Sequence, residues 1–446
     1  MPRPLVQGSA PGALPLLGHA VQLARDPAKF LRSLPAHGDL VKVRLGPVRA
    51  YVACDPELAH RVLFDVKAFD KGGPFYDKAR QETGNGIITC LNTEHPAQRQ
   101  MVWPAFHHSR LPSYAIVMVD QITKNIASWR HDQVLDLVGQ TSAITAAVTA
   151  SVMFAHQADD LIADVTRSFD TVLEGLYRRM IMPSAILEKL PTPGNRRHNR
   201  ARGRLTQVID YIIAGAPRDA DGAVDRGDLL STLLYARVNG RPLTPAELRD
   251  QVFNIFIAGT DTTASTLAWA LYLVATHPHV QRQLQTEVDT VLAGRAPTYD
   301  DVANLPVITR ILTETLRLYP SAWLLTRTTT HDMHLAGHDL PADSTLIASP
   351  YLIHHRADLY PSPEHFDPGR WLTQPPPQTP HPTYIPFGTG SRQCIGRHFG
   401  ITEATLALAL ICARWHLQPA TTTAVRPMPR ATMGASAMPV RLTLRA

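Results

Sequence analysis

Cysteine is scarce in this chain of 446 residues: Cys54, Cys90, Cys394 and Cys412 are the full set, and no Cys-x-x-Cys occurs. A disulfide scaffold is therefore excluded, and a reducing compartment is the simpler setting. The start, Met1-Pro2-Arg3-Pro4, runs into a Pro/Gly-rich stretch with no apolar core, so no secretory signal is expected. Ile255–Ala275, the most apolar window, is interrupted by Asp261 and by threonines, which reads as a buried helix rather than a membrane span. No transmembrane anchor and a cytoplasmic setting are the expectations. Repeats are absent, and low complexity is confined to Pro375-Pro376-Pro377. The charge excess is slight, 44 Lys and Arg against 38 Asp and Glu, and a net +6 selects no class of partner. The run Arg196–Arg204 lacks interleaved aromatics, so it reads as a solvated helix face and nucleic acid is not expected.

What is present is ordinary globular composition, 44% apolar and 18% charged, with 37 prolines that imply long structured loops. Val41, Val43 and Leu45 alternate with polar residues; Gly46-Pro47 and a second alternating run, Val48, Ala50 and Val52, complete a β-hairpin pattern. Helical patterns cover residues 56–66 and 96–130, with a Gly-rich loop from Phe69 to Thr93 between them. The stretch from about 140 to 290 is mainly helical; Leu205, Val208, Ile209 and Ile212 share one face. Ala216–Asp228 reads as a surface loop. Residues 297–319 are helical again, Leu335–Ala348 is strand-rich, and a last apolar helix runs from about Arg397 to Trp415. The expectation is a mainly α chain with small β-sheets and no internal domain boundary.

One segment concentrates chemistry: Phe387-Gly388-Thr389-Gly390-Ser391-Arg392-Gln393-Cys394-Ile395-Gly396. Its glycines permit a tight turn and close approach of a flat ligand. Cys394 precedes an apolar helix, whose free N–H groups favour a thiolate, and Arg392 adds positive charge. A soft thiolate with one open face suits haem iron. Phe387, Gly390, Arg392, Cys394 and Gly396 fill the pattern Phe-x-x-Gly-x-Arg-x-Cys-x-Gly, by which the chain resembles the cytochrome P450 family. A chance match in this length is on the order of 10⁻⁴.

Three further motifs carry the resemblance. Glu314-Thr315-Leu316-Arg317 places an acid and a base on one helix face. It is similar to the family's Glu-x-x-Arg, with Arg370 in Phe366-Asp367-Pro368-Gly369-Arg370-Trp371 as the third member. The resemblance implies a buried structural network of Glu314, Arg317 and Arg370. Ala258-Gly259-Thr260-Asp261-Thr262-Thr263 puts an acid and hydroxyls inside an apolar helix, a costly arrangement without partners or a task. Back-bonding to i−4 carbonyls accounts for the threonines but not for Asp261. By resemblance this is the oxygen-activating stretch, with a locally opened helix, Thr262 bonding dioxygen and Asp261 relaying protons. His95-Pro96-Ala97-Gln98-Arg99 resembles the propionate-binding helix, so His95 and Arg99 are expected at the haem carboxylates, with Arg327 and Arg392 as further partners. Asp343, in Leu340-Pro341-Ala342-Asp343, stands where the family has Gly, which Asp tolerates.

The resemblance implies one large helix-rich domain over residues 1–446 around a buried haem b, with residues 1–19 a Pro-rich entry. It implies a haem-thiolate monooxygenase using O2, with Cys394 as axial ligand. The expected substrate walls are the Phe69–Thr93 loop, a helix near Ser168–Met182, Phe253–Thr262, Ser321–Arg327 and a turn near Thr432–Ser436. Candidate lining residues are Phe75, Phe253, Ile257, Ala258, Trp323, Leu324, Leu325 and Met433. Such a wall favours a hydrocarbon-like ligand. Trp323–Arg327 and Leu176–Met180 look most like terpene-oxidising bacterial members, of the pentalenene-oxygenase kind; fatty acids, steroids and macrolide-like scaffolds stay open. The motifs leave no room for a fused reductase, so a separate ferredoxin and its reductase are implied, steered by Arg392, Arg397 and His398. The competing readings are a peroxide-driven haem-thiolate enzyme and a haem-based sensor.

Overall fold

The computed structural model describes residues 5–154, 168, 171–172, 175, 190–215, 218–219, 222–223, 227–238, 240–373 and 381–445. The expected helix near Ser168–Met182 and the stretch Leu176–Met180 lie largely outside the described residues. The helices that frame or support the cavity are α1 (Gly73–Thr83), α2 (His95–Val102), α3 (Leu111–Ile126), α4 (Leu137–Phe154), α5 (Pro193–Gly215), α6 (Pro245–Thr276), α7 (Pro278–Leu292), α8 (Pro306–Leu318) and α9 (Arg397–Arg414). Proline opens many of them, where its missing N–H costs nothing. The long α6 starts at a capping box in which Thr244 and Glu247 bond each other's backbone N–H. At α8 the Glu287 carboxylate, from α7, accepts the free N–H groups of Val307 and Ile308 at 2.6 and 3.1 Å.

The loop expected over Phe69–Thr93 instead contains the short strand Phe69–Asp70 and helix α1. Pro74 at its start and Gly84 at its end, with φ of +78°, bracket that helix. The helical run expected over 96–130 is broken by 3₁₀ turns at Trp103–Phe106 and His108–Arg110, since Pro104 and Pro112 interrupt the ladder.

A six-stranded sheet runs in the order Gln7–Ser9, Leu40–Leu45, Val48–Ala53, Thr345–Ala348, Leu325–Thr329 and Phe69–Asp70. The expected hairpin pairs Leu45 with Val48 across Gly46. Leu325–Thr329 lies antiparallel to both of its neighbours, with Thr328 opposite Asp70. Leu325 and Arg327 are two apart and share a face. Asp343 has φ of +63°, the left-handed conformation usually left to glycine, at the turn entering Thr345–Ala348.

Three apolar clusters form the core. One joins α3, α4, α6, α7, α8 and α9; a second fills the six-stranded sheet; a third packs α2, α5 and the first half of α6. Helix α6 enters the first and the third, which is why it is apolar on most sides. Among the described residues one helix, α4, is long and apolar enough to cross a membrane, and 72% of that stretch is buried. It packs along α6, with Gly259 against Thr149.

Candidate functional site

A cavity of about 320 Å³ lies between α6, α4 and the loop that precedes α9. Its lower wall is Pro386–Gly396; its upper wall is Ile255, Ala258, Gly259, Thr262, Thr263 and Thr266 of α6; Thr149, Val152 and Met153 of α4 close one side.

The lower wall is shaped by Gly388 and Gly390, with φ of +69° and +68°. A side chain at Gly390 would also fall within 3.0 Å of the Phe64 backbone. The Cys394 N–H donates to the Phe387 carbonyl at 3.0 Å, closing the loop. Arg99 ties the loop to α2 by donating to the Gln393 carbonyl at 2.8 Å. Cys394 retains open surface although protein packs around it, because that surface faces the cavity it lines. Burial raises the thiol's pKa; the Gly396 N–H, Arg99, Lys71 and Arg397 pull it down.

One rim of the cavity is crowded with basic side chains. Lys71, His95, Arg99, Arg327 and Arg392 all line it. Arg327 is 4% exposed, and its described partners are the Thr326 carbonyl at 2.8 Å and Tyr76. Lys71 donates to the Ile88 carbonyl at 2.7 Å and sits over the Tyr76 ring. Arg392 is held by Asn92 Oδ1 at 2.8 Å and the Cys90 carbonyl at 2.9 Å; the Asp70 carboxylate is 3.6 Å away. Burial, then Arg392, Lys71, Arg99 and Arg327, push the His95 pKa down to about 3, so this histidine is neutral. Burial and the two neighbouring arginines drive Lys71 well below its usual range. A site that depresses two bases in this way is short of negative charge.

Glu314 and Arg317 of α8 meet Arg370. The Glu314 carboxylate takes two bonds from Arg317, at 2.8 and 2.9 Å, and both side chains are fully buried. Arg370 stands 3.5 Å from Glu314, and Trp371 Nε1 donates to it at 2.9 Å. The remaining Arg317 donors go to the His354, Pro363 and His365 carbonyls. Both Glu314 oxygens and the Arg317 guanidinium are therefore paired, which makes a buried ion pair tolerable.

Helix α6 is assigned helical throughout, so the expected local opening is not found. Side-chain hydroxyls instead bond its carbonyls. Thr262 donates to the Ala258 carbonyl at 2.6 Å, Thr145 to that of Thr260 at 3.1 Å, and Ser321 to that of Thr262 at 2.8 Å. Thr262 lines the cavity, but Asp261 does not: its carboxylate accepts from Thr432 Oγ1 at 2.8 Å. Burial raises the Asp261 pKa, against Thr432 and Arg430.

Of the expected substrate wall, Ala258 and Leu325 line the cavity, as does Phe387 beneath. Six residues do not. Trp323 and Met433 belong to the sheet's core, the Trp323 indole N–H donating to the Arg430 carbonyl. Leu324 packs on the same core, one step out of the alternation that turns Leu325 inward. Phe253 and Ile257 belong to the third cluster, because α6 presents Ile255, Ala258 and Thr262 to the cavity. Phe75 stacks edge-on against Tyr76, and Tyr76 takes the cavity position. No residue of the Thr432–Ser436 turn lines the cavity. Sequence reasoning missed Lys71, Tyr76 and the α4 wall. For α4 a signal existed, hydroxyls at Thr141, Thr145 and Thr149 on one face of an apolar helix; for Lys71 none did.

A family model described as "Cytochrome P450" matches residues 9–444. "Cyclooctatin synthase" of Streptomyces melanosporofaciens is 44% identical over 97% of this chain and 94% of its own. "Cyclooctat-9-en-7-ol 5-monooxygenase" of the same organism is 44% identical, covering 94% and 91%. "Pentalenene oxygenase" of Streptomyces avermitilis is 41% identical, covering 99% and 97%. Among solved structures, the chain titled "Crystal structure of cytochrome P450DA heme domain" superposes with a TM-score of 0.86 at 26% identity, covering 100% of this chain and 99% of that one.

Proposed function

The chain belongs to the cytochrome P450 family, and from that premise we propose that it oxidises a cyclic terpene, in the cytoplasm, with electrons from a separate ferredoxin. It is a monooxygenase, its cofactor is haem b and its co-substrate is dioxygen. The described residues fit that cofactor. The rim of Lys71, Arg99, Arg327 and Arg392 supplies more buried positive charge than Asp70 can balance, and a macrocycle with two carboxylates corrects the deficit. The single thiol on the cavity wall, Cys394, is the axial ligand in this reading. When bound, haem supplies the activation of dioxygen.

The protein's part is positioning and proton supply. Arg99 bonds the Gln393 carbonyl beside Cys394, so a residue that would face a haem carboxylate also fixes the loop that carries the thiol. His95 lines the same rim and can donate a hydrogen bond to a carboxylate there. Thr262 has committed its own proton to Ala258, so it offers the cavity an acceptor. Asp261, one residue earlier, is the carboxyl from which a proton can be handed inward. The Glu314 network ties α8 to His354 and to the Pro361–Trp371 segment. Ile255, Ala258, Val152, Met153 and Leu325 leave the upper cavity apolar, so burial of surface rather than hydrogen bonding selects the substrate.

The observation that carries the substrate class is this apolar wall, together with the relatives' names. Arg397, beside the Cys394 loop, supports an acidic ferredoxin, whereas burial, Arg397 and His108 lower the His398 pKa and leave that histidine little charge to add. The test is a ferric spin-state titration of the holoenzyme with pentalenene and cyclooctat-9-en-7-ol, beside a fatty acid and a steroid. A low- to high-spin shift confined to the terpenes is expected. A shift confined to the fatty acid or the steroid discards the terpene assignment and leaves the family untouched.

A further inference from the structure

The last hairpin of the chain is built into α6 where the acid lies. Pro427–Pro429 pairs with Met433–Ala435, and the turn between them is clamped, because the Thr432 carbonyl accepts the N–H groups of both Arg430 and Gly434. The turn is then fixed from outside. Ser265 Oγ and Trp269 Nε1 of α6 both donate to the Met433 carbonyl, at 2.7 and 3.0 Å. The Met433 N–H donates to the Ser321 carbonyl at 3.0 Å, and the Trp323 indole holds the Arg430 carbonyl at 3.0 Å. The whole arrangement leaves Thr432 8% exposed, with its hydroxyl 2.8 Å from Asp261 Oδ2. Arg430, two residues earlier, is exposed.

Asp261 is thus placed between two sides. Its neighbour Thr262 faces the cavity, whereas its own carboxyl faces the turn and does not line the cavity. We propose that Thr432 is the positioning residue of Asp261, and that protons bound for the cavity enter from solvent at the Arg430–Thr432 turn. The proposal rests on the reading that Asp261 and Thr262 deliver protons. In each cycle Asp261 gives its proton inward toward Thr262 and takes one back from water at the turn, so the carboxyl returns to its starting state. The Thr432 hydroxyl donates to the carboxylate during the interval when it is charged. Arg430 is the charged group that faces Asp261 among the described residues, and it favours the same charged form. A carboxylate oxygen held by a clamped turn also explains why a hairpin that contributes nothing to the cavity wall is bonded so densely to α6.

The variants are Thr432→Val, which keeps the shape and removes the donor, Thr432→Ser, which restores it, and Asp261→Asn. Each is made as holoenzyme and checked for haem content and melting temperature. The first readout needs no turnover: an infrared titration of the carboxyl band that disappears in Asp261→Asn. Loss of the donor should move that titration up by about one pH unit in Thr432→Val, and Thr432→Ser should return it. The second is NADPH consumption without added substrate, with ferredoxin and its reductase in excess. Thr432→Val should lower it about tenfold and raise its solvent deuterium isotope effect, with recovery in Thr432→Ser. A wild-type titration and isotope effect in Thr432→Val, while Asp261→Asn is impaired, overturns the role of Thr432 alone. Wild-type behaviour of Asp261→Asn overturns the relay and this proposal with it.

Discussion

Glu403, on α9, is fully buried, and neither of its carboxylate oxygens meets a donor among the described residues. Burial alone pushes its pKa well above the ordinary value of 4.5, so the folded protein holds a proton there that the unfolded chain releases. The sign follows from linkage. A protonated, folded-state carboxyl contributes fully below pH 4.5, and the contribution falls as pH rises toward the folded-state pKa. Glu403→Gln has no proton to bind and keeps the neutral amide in place. It should match the parent at pH 4 and exceed it at pH 8 by at least about 1 kcal/mol in urea unfolding. Equal stability at both values would mean that folding leaves this carboxyl's pKa unchanged, and a variant weaker than its parent at pH 8 would mean that the carboxyl is ionised and paired. Glu314 is equally buried but has Arg317, Arg370, Trp371 and the Asp367 N–H around it.

At the scale of elements, the crossing of α4 over α6 sets the width of the cavity. An added Cβ at Gly259 would lie 3.0 Å from Thr149 Oγ1 and 3.1 Å from its Cγ2. Alanine in a helix interior gains up to about 1 kcal/mol over glycine. Crowding a packed crossing costs about 1–3 kcal/mol, so the clash wins. Gly259→Ala should lower the melting temperature of the protein, and Thr149→Ala in the same chain should reverse the sign, leaving the propensity gain. If both backgrounds respond alike, the helices are free to separate. The helices themselves were legible: the i, i+3, i+4 pattern of Leu205 to Ile212 lies within α5, and Leu205, Ile209 and Ile212 are buried. Helix α1 was not, because Gly72, Gly73, Gly84 and Gly86 stand at its ends and mark the stretch as a loop, and contact with Leu325–Thr329 and α6, rather than its own periodicity, folds it. The breaks near Trp103 and His108 were marked by Pro104 and Pro112 but outweighed by a long run of helix formers.

The whole molecule is organised around a charge deficit. Arg327 is buried beside Arg392 and Lys71, and burial lowers the pKa of both Arg327 and Lys71. Folding without the cofactor therefore strands positive charge, and binding relieves it, so cofactor affinity and folding stability are linked. Arg327→Met separates the two. The haem-free protein should melt a few degrees higher than its parent, about 1 kcal/mol or more at this size, while haem is lost to a scavenging globin about tenfold faster. A variant that melts lower without haem would show that Arg327 is already neutralised by the protein.

The sequence by itself determined the family, through the spacing of Phe387 to Gly396, and by resemblance it pointed to Cys394, His95, Arg99, Arg327 and Arg392, all of which line the cavity. It also determined the Glu314–Arg317 pair, which three residues of helix bring face to face. Tertiary structure alone decided the rest. Which of Leu324 and Leu325 faces inward depends on a strand register fixed by Ala348 and Ile347 across the sheet. Which face of α6 meets the cavity depends on α4 pressing from the other side. That Asp261 turns to Thr432 is a contact between residues 171 apart in sequence, and no local pattern encodes it. Loop closure on that scale is settled by the packed core, where the burial of many apolar residues outweighs the preference of any one polar group.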